Sequence, residues 1–248
     1  MNALPADVAE GLRSVARTPR LLVTSDFDGT LAPIVNHPGD ARPLPAAAAA
    51  LRALADLPGT TAALISGRAL RDLAVLSGLS APVHLVGSHG AEFDTGFAHE
   101  IDTALLARIT DELTAIADGR PGVTVETKPA SVALHVRNAS PDDGDAALAA
   151  ARTAAEDWDA HATAGKAVLE FAVITTDKGE AIDILRERDD ATAVVFFGDD
   201  VTDEKAFRRM RDGDVGVKVG DGDTLATYRV GSPEDVAAAL EFLLAERA

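Results

Sequence analysis

The chain contains no cysteine, so it offers neither a disulfide framework nor a thiol nucleophile, and its redox compartment is not readable. Positive charge is scarce as well: 23 Lys and Arg stand against 40 Asp and Glu, a formal net charge of −17. Such a field repels nucleic acid and anionic membranes, so neither is an expected partner. A phosphate-bearing ligand would need a local cluster of cations or a metal to overcome the same repulsion. No apolar run nears the roughly 20 residues that span a bilayer. The opening MNALPADVAEGLRS lacks the basic-then-apolar order of a signal peptide, so a soluble cytoplasmic protein is the expectation. What the chain has in quantity is apolar side chains, 47% of its 248 residues, enough for one large domain or a core plus a smaller one.

Several short apolar runs end in polar or glycine-rich turns: Leu21–Thr24 before SDFDGT, Ala62–Ile65 before SGR, Val83–Val86 before GSHG, and Ala193–Phe197 before GDD. Continuous runs of this length read as strands covered on both faces. Helical patterns alternate with them, among them PAAAAALRALADL, KGEAIDILRER and PEDVAAALEFLLAER. The alternation predicts an α/β fold with a doubly wound parallel sheet and a site at the carboxyl ends of its strands. The rhythm changes from about Ala98 to Thr176. There IDTALLARITDELTAIA reads as a helix, VTVETK and SVALHVRN as two strands around a turn at Pro129, Asp142 to Trp158 as a second helix, and KAVLEFAVI as a strand. This order predicts an inserted α+β unit, 98–176, in a discontinuous core of 1–97 and 177–248.

The strongest chemical signal is Asp26-Phe27-Asp28-Gly29-Thr30-Leu31, directly after an apolar run. Two acids at a strand end can simply solvate its mouth. In this setting Gly29 permits a tight departure and the apolar run holds the carboxylates in a low-dielectric rim. A carboxylate there can attack phosphorus once a divalent cation neutralises the charge. The second acidic cluster, Asp199-Asp200-Val201-Thr202-Asp203-Glu204 after Gly198, has the plainer reading of a helix N-terminus favoured by its dipole. Two acidic strand ends in one sheet would nevertheless repel each other without a cation between them, and oxygen ligands suit Mg²⁺. Ser66-Gly67-Arg68 can hold phosphate oxygens or merely cap a helix. Lys178 opens the helix KGEAIDILRER, where the dipole disfavours a cation, so a facing phosphate or aspartyl-phosphate would justify it; a solvated lysine is the alternative.

Taken in order, DFDGTL, SGR, KG and GDDVTDE resemble the haloacid dehalogenase superfamily of phosphatases. The resemblance implies Asp26 as nucleophile, Asp28 as acid and base, and Ser66 and Lys178 as holders of the phosphoryl group. It implies Mg²⁺ on Asp26, the backbone carbonyl of Asp28, and Asp199, with Asp200 and Asp203 supporting. Phosphate contacts are expected from Asp26, Phe27, Asp28, Ser66, Gly67 and Arg68. The segment VETKPASVALHVR, with Glu126, Lys128, Ser131, His135 and Arg137, is similar to the substrate-reading segment of trehalose-6-phosphate phosphatases, as is GKAVLEF with Glu170. DFDGTLAPIV, GSHGAE and VKVGDGDTLATYRV extend the likeness along nearly the whole chain. Val136 departs from it, standing where an aromatic residue is common. So does the short stretch ahead of the first motif, which leaves no room for the extra domains of some members.

A disaccharide offers many hydroxyls, and Glu126, Lys128 and Glu170 would reject a ligand that left them unpaired. Ordinary cross-strand ion pairing is the alternative for these residues. The inserted unit is expected to act as a lid carrying the sugar-reading groups. His89 is read as shaping the seam between core and insert, and Trp158 and Tyr228 as packing residues. The expected substrate is a small sugar phosphate, trehalose 6-phosphate first, with sucrose phosphate or mannosylglycerate phosphate as alternatives. A dehalogenase is disfavoured because Asp28 is present, and a silent sugar-phosphate sensor because neither Asp26 nor Asp28 is lost. The sequence leaves the oligomeric state open, a monomer being one reading.

Overall fold

The computed structural model describes residues 4–248; residues 1–3, which begin both the expected core segment and the opening stretch read for a signal peptide, lie outside the described residues. Two compact units form: the residues up to Ala98 together with Thr176–Ala248, and His99–Thr175. The first unit begins with α1 (Ala6–Val15), β1 (Leu21–Ser25), α2 (Pro45–Ala55), β2 (Thr60–Ile65), α3 (Leu70–Ser77), β3 (His84–Gly87) and the short hairpin β4 (Glu92–Phe93) and β5 (Gly96–Phe97). The second unit holds α4 (Thr103–Ala117), β6 (Thr124–Thr127), β7 (Ser131–His135), α5 (Pro141–Ala154), β8 (His161–Gly165) and β9 (Val168–Ala172). The chain returns to the first unit with α6 (Lys178–Arg188), β10 (Ala193–Gly198), α7 (Glu204–Arg208), β11 (Val215–Val219), β12 (Tyr228–Val230) and α8 (Pro233–Arg247).

The first unit's eight-stranded sheet runs β12-β11-β10-β1-β2-β3-β4-β5. Strands β12 through β3 pair in parallel, while β4 and β5 close that edge antiparallel. Strand side chains alternate between faces, so an uninterrupted apolar run serves two cores at once. Leu21, Val23, Val195 and Phe197 pack under α1, α2 and α8, while Leu22, Val194 and Phe196 pack against Ala181, Ile182 and Leu185 of α6 and Phe207 of α7. The chain order reverses between β1 and β10, with β2 and β3 running out one way and β11 and β12 the other. Helices diverge at such a switch point and leave a crevice beyond the strands' carboxyl ends. The two acidic motifs follow β1 and β10.

In the second unit a four-stranded antiparallel sheet, order β6-β7-β9-β8, buries Val132, Leu134, Leu169 and Phe171 with Ile109 and Leu113 of α4 and Ala147 and Ala151 of α5. Trp158 is buried edge-on to Phe171, with ring centroids 4.9 Å apart. Four features went beyond the sequence reading: the β4–β5 hairpin, β11, β12, and the edge strand β8. The last makes the inserted unit helix, hairpin, helix, hairpin rather than helix, hairpin, helix, strand. Every residue of β8, HATAG, is exposed, so it carries no apolar alternation from which a strand is readable.

Candidate active site

Asp26 extends the ladder one step past β1, its amide donating to the Phe197 carbonyl at 2.9 Å. The chain then folds back within a few residues, with Ala32 N donating to Phe27 O at 2.8 Å and Gly29 N to Ala32 O at 2.7 Å. Gly29 adopts φ +82°, and a Cβ there would fall on the Asp199 carboxylate. Glycine is therefore what lets the two acidic loops approach. Phe27, expected among the phosphate contacts, could meet a ligand through its backbone alone, since its ring is fully buried in the core with the Arg68 guanidinium 5.5 Å above it.

The centre of the site is an ion triad. Lys178 Nζ donates to Asp26 Oδ1 and to Asp203 Oδ1, each at 2.7 Å, and all three residues are buried. This explains how a lysine sits at the start of α6: two carboxylates compensate what the helix dipole disfavours. Asp203 is no solvated helix-terminal acid, since its other oxygen accepts from the Asp200 amide at 2.9 Å. Burial pushes the Asp26 carboxyl up to about 8, against the pull of Lys178 and with added repulsion from Asp203. Burial disfavours the Lys178 ammonium, but Asp26 and Asp203 together raise its pKa. Asp199 is raised too, by burial first and then by Asp203.

A second pair lies alongside. Arg68 Nε and one terminal nitrogen donate to the two Asp28 oxygens at 2.6 Å each, and this bidentate bond chiefly raises the arginine's pKa. The Ser66 hydroxyl accepts from the Arg68 amide at 3.2 Å. Ser88 and His89 follow β3 in left-handed backbone, φ +49° and +56°, a conformation costly for non-glycine residues unless the surroundings hold it. Two bonds hold it: Ser88 N to Arg68 O at 2.7 Å and His89 N to Ser66 O at 2.9 Å. A Cβ on Gly67 would strike the His89 imidazole. A cavity of about 470 Å³ is lined by Asp26, Asp28, Ser66, Gly67, Arg68, His89, Lys178, Asp199, Asp200 and Thr202, with Ile34 and Pro38. His89, read from sequence as a seam residue, is thus part of the cavity wall.

Whether these residues suit a divalent cation is a question of charge. Single oxygens of Asp26, Asp199 and Asp203 lie within 4.8 Å of one another, with the Lys178 ammonium against two of the three. Burial first, and then the repulsion of Asp203, raises the carboxyl pKa values of Asp26 and Asp199, and a hard cation with oxygen ligands would offset that cost to their charged forms. The donor set therefore fits a divalent metal.

In the second unit, register places Glu126, Ala133, Glu170 and Thr163 in one row across the sheet. Paired residues share a face, so Glu126, Ser131, His135 and Glu170 all stand on the face opposite the apolar core. Glu170 Oε1 accepts from Lys128 Nζ at 3.0 Å and from the Ser131 hydroxyl at 2.6 Å, and Glu126 pairs with His135 at 2.8 Å.

A family model described as trehalose-phosphatase matches residues 24–233, from β1 to the start of α8. The chain belongs to the trehalose-phosphatase family. A trehalose-phosphate phosphatase from Mycolicibacterium paratuberculosis is 38% identical over 233 residues, covering 84% of this chain and 58% of that protein. The chain thus spans less than two thirds of the length of that family member. Among solved structures, the C-terminal domain of the Candida albicans trehalose-6-phosphate phosphatase superposes with a TM-score of 0.72 at 25% identity, covering 98% of each chain. The Aspergillus fumigatus trehalose-6-phosphate phosphatase gives 0.73 at 25% identity, covering 98% of this chain and 99% of that one. Within this family fold, the sequence reading assigned no role to Lys218, a buried lysine of β11. A cation inside the apolar strand VGVKV was the available signal, because lysine is almost never buried without a partner.

Proposed function

We propose that the chain hydrolyses trehalose 6-phosphate to trehalose and phosphate, in the cytoplasm, through a phosphoryl-aspartate on Asp26 with Mg²⁺ as cofactor. The observation that carries this is the buried Asp26–Lys178–Asp203 triad facing Asp199 at the sheet's switch point, in a chain of the trehalose-phosphatase family. Asp26, Asp199 and the Asp28 carbonyl would hold the metal, with Asp200 and Asp203 supporting. When bound, it neutralises the facing carboxylates and the phosphoryl oxygens.

Asp26 Oδ attacks phosphorus and the bond from phosphorus to the sugar oxygen breaks, with Asp28 giving its proton to the departing oxygen. Water then attacks the phosphoryl-aspartate, Asp28 takes a proton from it, and the bond from phosphorus to Asp26 breaks. Lys178, the Ser66 hydroxyl and the amides of Gly67 and Arg68 hold the phosphoryl oxygens throughout. Both Asp28 oxygens accept from Arg68, so proton donation requires the guanidinium to turn away, and substrate phosphate is the competing acceptor.

Glu126, Lys128, Ser131 and Glu170 read the sugar. Their grouping on one polar sheet face supports this, since the chemistry itself draws on none of them. The test is phosphate release from trehalose 6-phosphate, sucrose phosphate, mannosylglycerate phosphate and p-nitrophenyl phosphate, each with Mg²⁺ and with chelator. Trehalose 6-phosphate should turn over fastest and chelation should stop every reaction. Faster turnover of another sugar phosphate overturns the substrate, and binding without release makes the chain a sensor.

A further inference from the structure

Among the described residues two lysines are buried, Lys178 and Lys218, and the chemistry above uses only the first. Lys218 lies in β11 between Val217 and Val219, whose side chains join the core under α1, α2 and α8. Alternation along the strand turns Lys218 to the opposite face, the one where Gly216 abuts Phe207 of α7. In register it stands beside Gly198, the last residue of β10. From there its ammonium donates to the backbone carbonyl of Asp199. One neutral acceptor is a poor exchange for the hydration of a buried ammonium with three donors. Packing alone does not call for a charge at this position.

What the bond does is visible at Asp199. The residue is held at both ends, by Lys218 at its carbonyl and by the Thr30 hydroxyl at its carboxylate, the latter at 3.2 Å. The turn that follows is closed by the Asp200 amide on Asp203 at 2.9 Å. Held in this way, the Asp199 carboxylate faces Asp26 and Asp203, where its oxygen completes the acidic group. We infer that Lys218 is a positioning residue for the metal centre: by holding the Asp199 carbonyl it keeps the Asp199 carboxylate turned into the site, and so sets the affinity for the divalent cation. This rests on the metal reading proposed above.

The test is calorimetric titration of Mg²⁺ into the substrate-free chain, well below its melting temperature, for wild type, Lys218→Met and Lys218→Arg. Methionine keeps the length of the side chain and removes the donor. Mg²⁺ affinity should fall about 10–100-fold in Lys218→Met, as for other groups that orient a metal ligand, and less in Lys218→Arg, which retains donors. In the phosphatase assay the half-saturating Mg²⁺ should rise by the same factor, with KM for p-nitrophenyl phosphate at saturating Mg²⁺ unmoved. Unchanged or tighter Mg²⁺ binding in Lys218→Met overturns the inference, even if that variant melts earlier. Wild type that binds no Mg²⁺ overturns the metal reading itself. Should Lys218→Met not fold, Lys218→Cys is the sole thiol in the chain and can be alkylated in urea and refolded. The 2-bromoethylamine product carries the ammonium and the 1-bromopropane product is its neutral equal in length. Equal Mg²⁺ affinity of the two overturns the inference, and weaker binding by the propyl form supports it.

Discussion

Replacing Asp203 by alanine separates a structural counter-ion from a solvated acid. In the fold Asp203 is fully buried and accepts two bonds, from Lys178 Nζ at 2.7 Å and from the Asp200 amide at 2.9 Å. Deleting one partner of a buried ion pair costs about 3–5 kcal/mol. Here Lys178 keeps Asp26 at 2.7 Å, and the repulsion that Asp203 exerts on Asp26 disappears, so the lower end applies, about 3 kcal/mol. At about 2–4 °C per kcal/mol for a protein of this size, Asp203→Ala should melt roughly 6–12 °C below wild type. Circular dichroism or scanning calorimetry reads this directly. Because the pair is buried, the deficit should persist in high salt, which screens only exposed charges. Asp200→Ala is the matched comparison: that residue is exposed, its side chain accepts from the next amide at 2.6 Å, and a change within about 0.5 kcal/mol is expected. If the two variants melt together, the triad is not a buried counter-ion system.

Asp26→Asn should stay folded and lose turnover and phosphoenzyme formation, because an amide does not attack phosphorus; residual burst kinetics in rapid quench contradicts the covalent route. The Asp26 carboxyl stands at about 8 in the fold against an ordinary value of 3.8, through burial first. The folded chain therefore binds more protons than the unfolded one across that window, and the metal-free protein loses stability as pH rises from about 4 to 8. Asp26→Asn should flatten this slope, and Mg²⁺, which competes with the proton, should raise the melting temperature more at pH 8 than at pH 5; equal slopes in both proteins refute the linkage. Glu126→Ala or Lys128→Ala should cut kcat/KM for trehalose 6-phosphate by at least roughly tenfold and spare p-nitrophenyl phosphate, a hydrogen bond to a charged group being worth about 1.5–3 kcal/mol; equal losses on both substrates argue against sugar reading. Gly29→Ala puts a methyl group on the Asp199 carboxylate in left-handed backbone and should abolish Mg²⁺ binding by calorimetry, whereas wild-type affinity refutes the close approach of the two loops.

The sequence by itself determined the parts whose physics is local. Strands β1, β2, β3 and β10 were readable because a strand covered on both faces has to be apolar throughout, and the two acidic motifs stood out because they follow immediately after such runs. The inserted unit's helices and first hairpin carry their own periodicities. Strand β8 was not readable, since HATAG is exposed along its length and is held by pairing to β9 rather than by burial. Strand β11 was not readable because Gly216 and Lys218 break its apolar run, VGVKV, and β12 because it has three residues with Arg229 exposed at its centre.

Only the tertiary structure decided who faces whom. The bond from Lys178 to Asp26 joins residues 152 apart in sequence, so no local pattern distinguishes a solvated lysine at a helix start from the counter-ion of a buried carboxylate. Asp203 and Asp200 look alike in GDDVTDE, yet one is fully buried and the other exposed, because the turn after β10 directs one carboxylate inward against Lys178. The pairing of Arg68 with Asp28 and the tether from Lys218 to Asp199 likewise arise where separate strand ends meet. Residue types follow from the chemistry a site needs. Their protonation, burial and partners follow from the low-dielectric crevice that the reversal between β1 and β10 creates, and that crevice exists only once the whole sheet has formed.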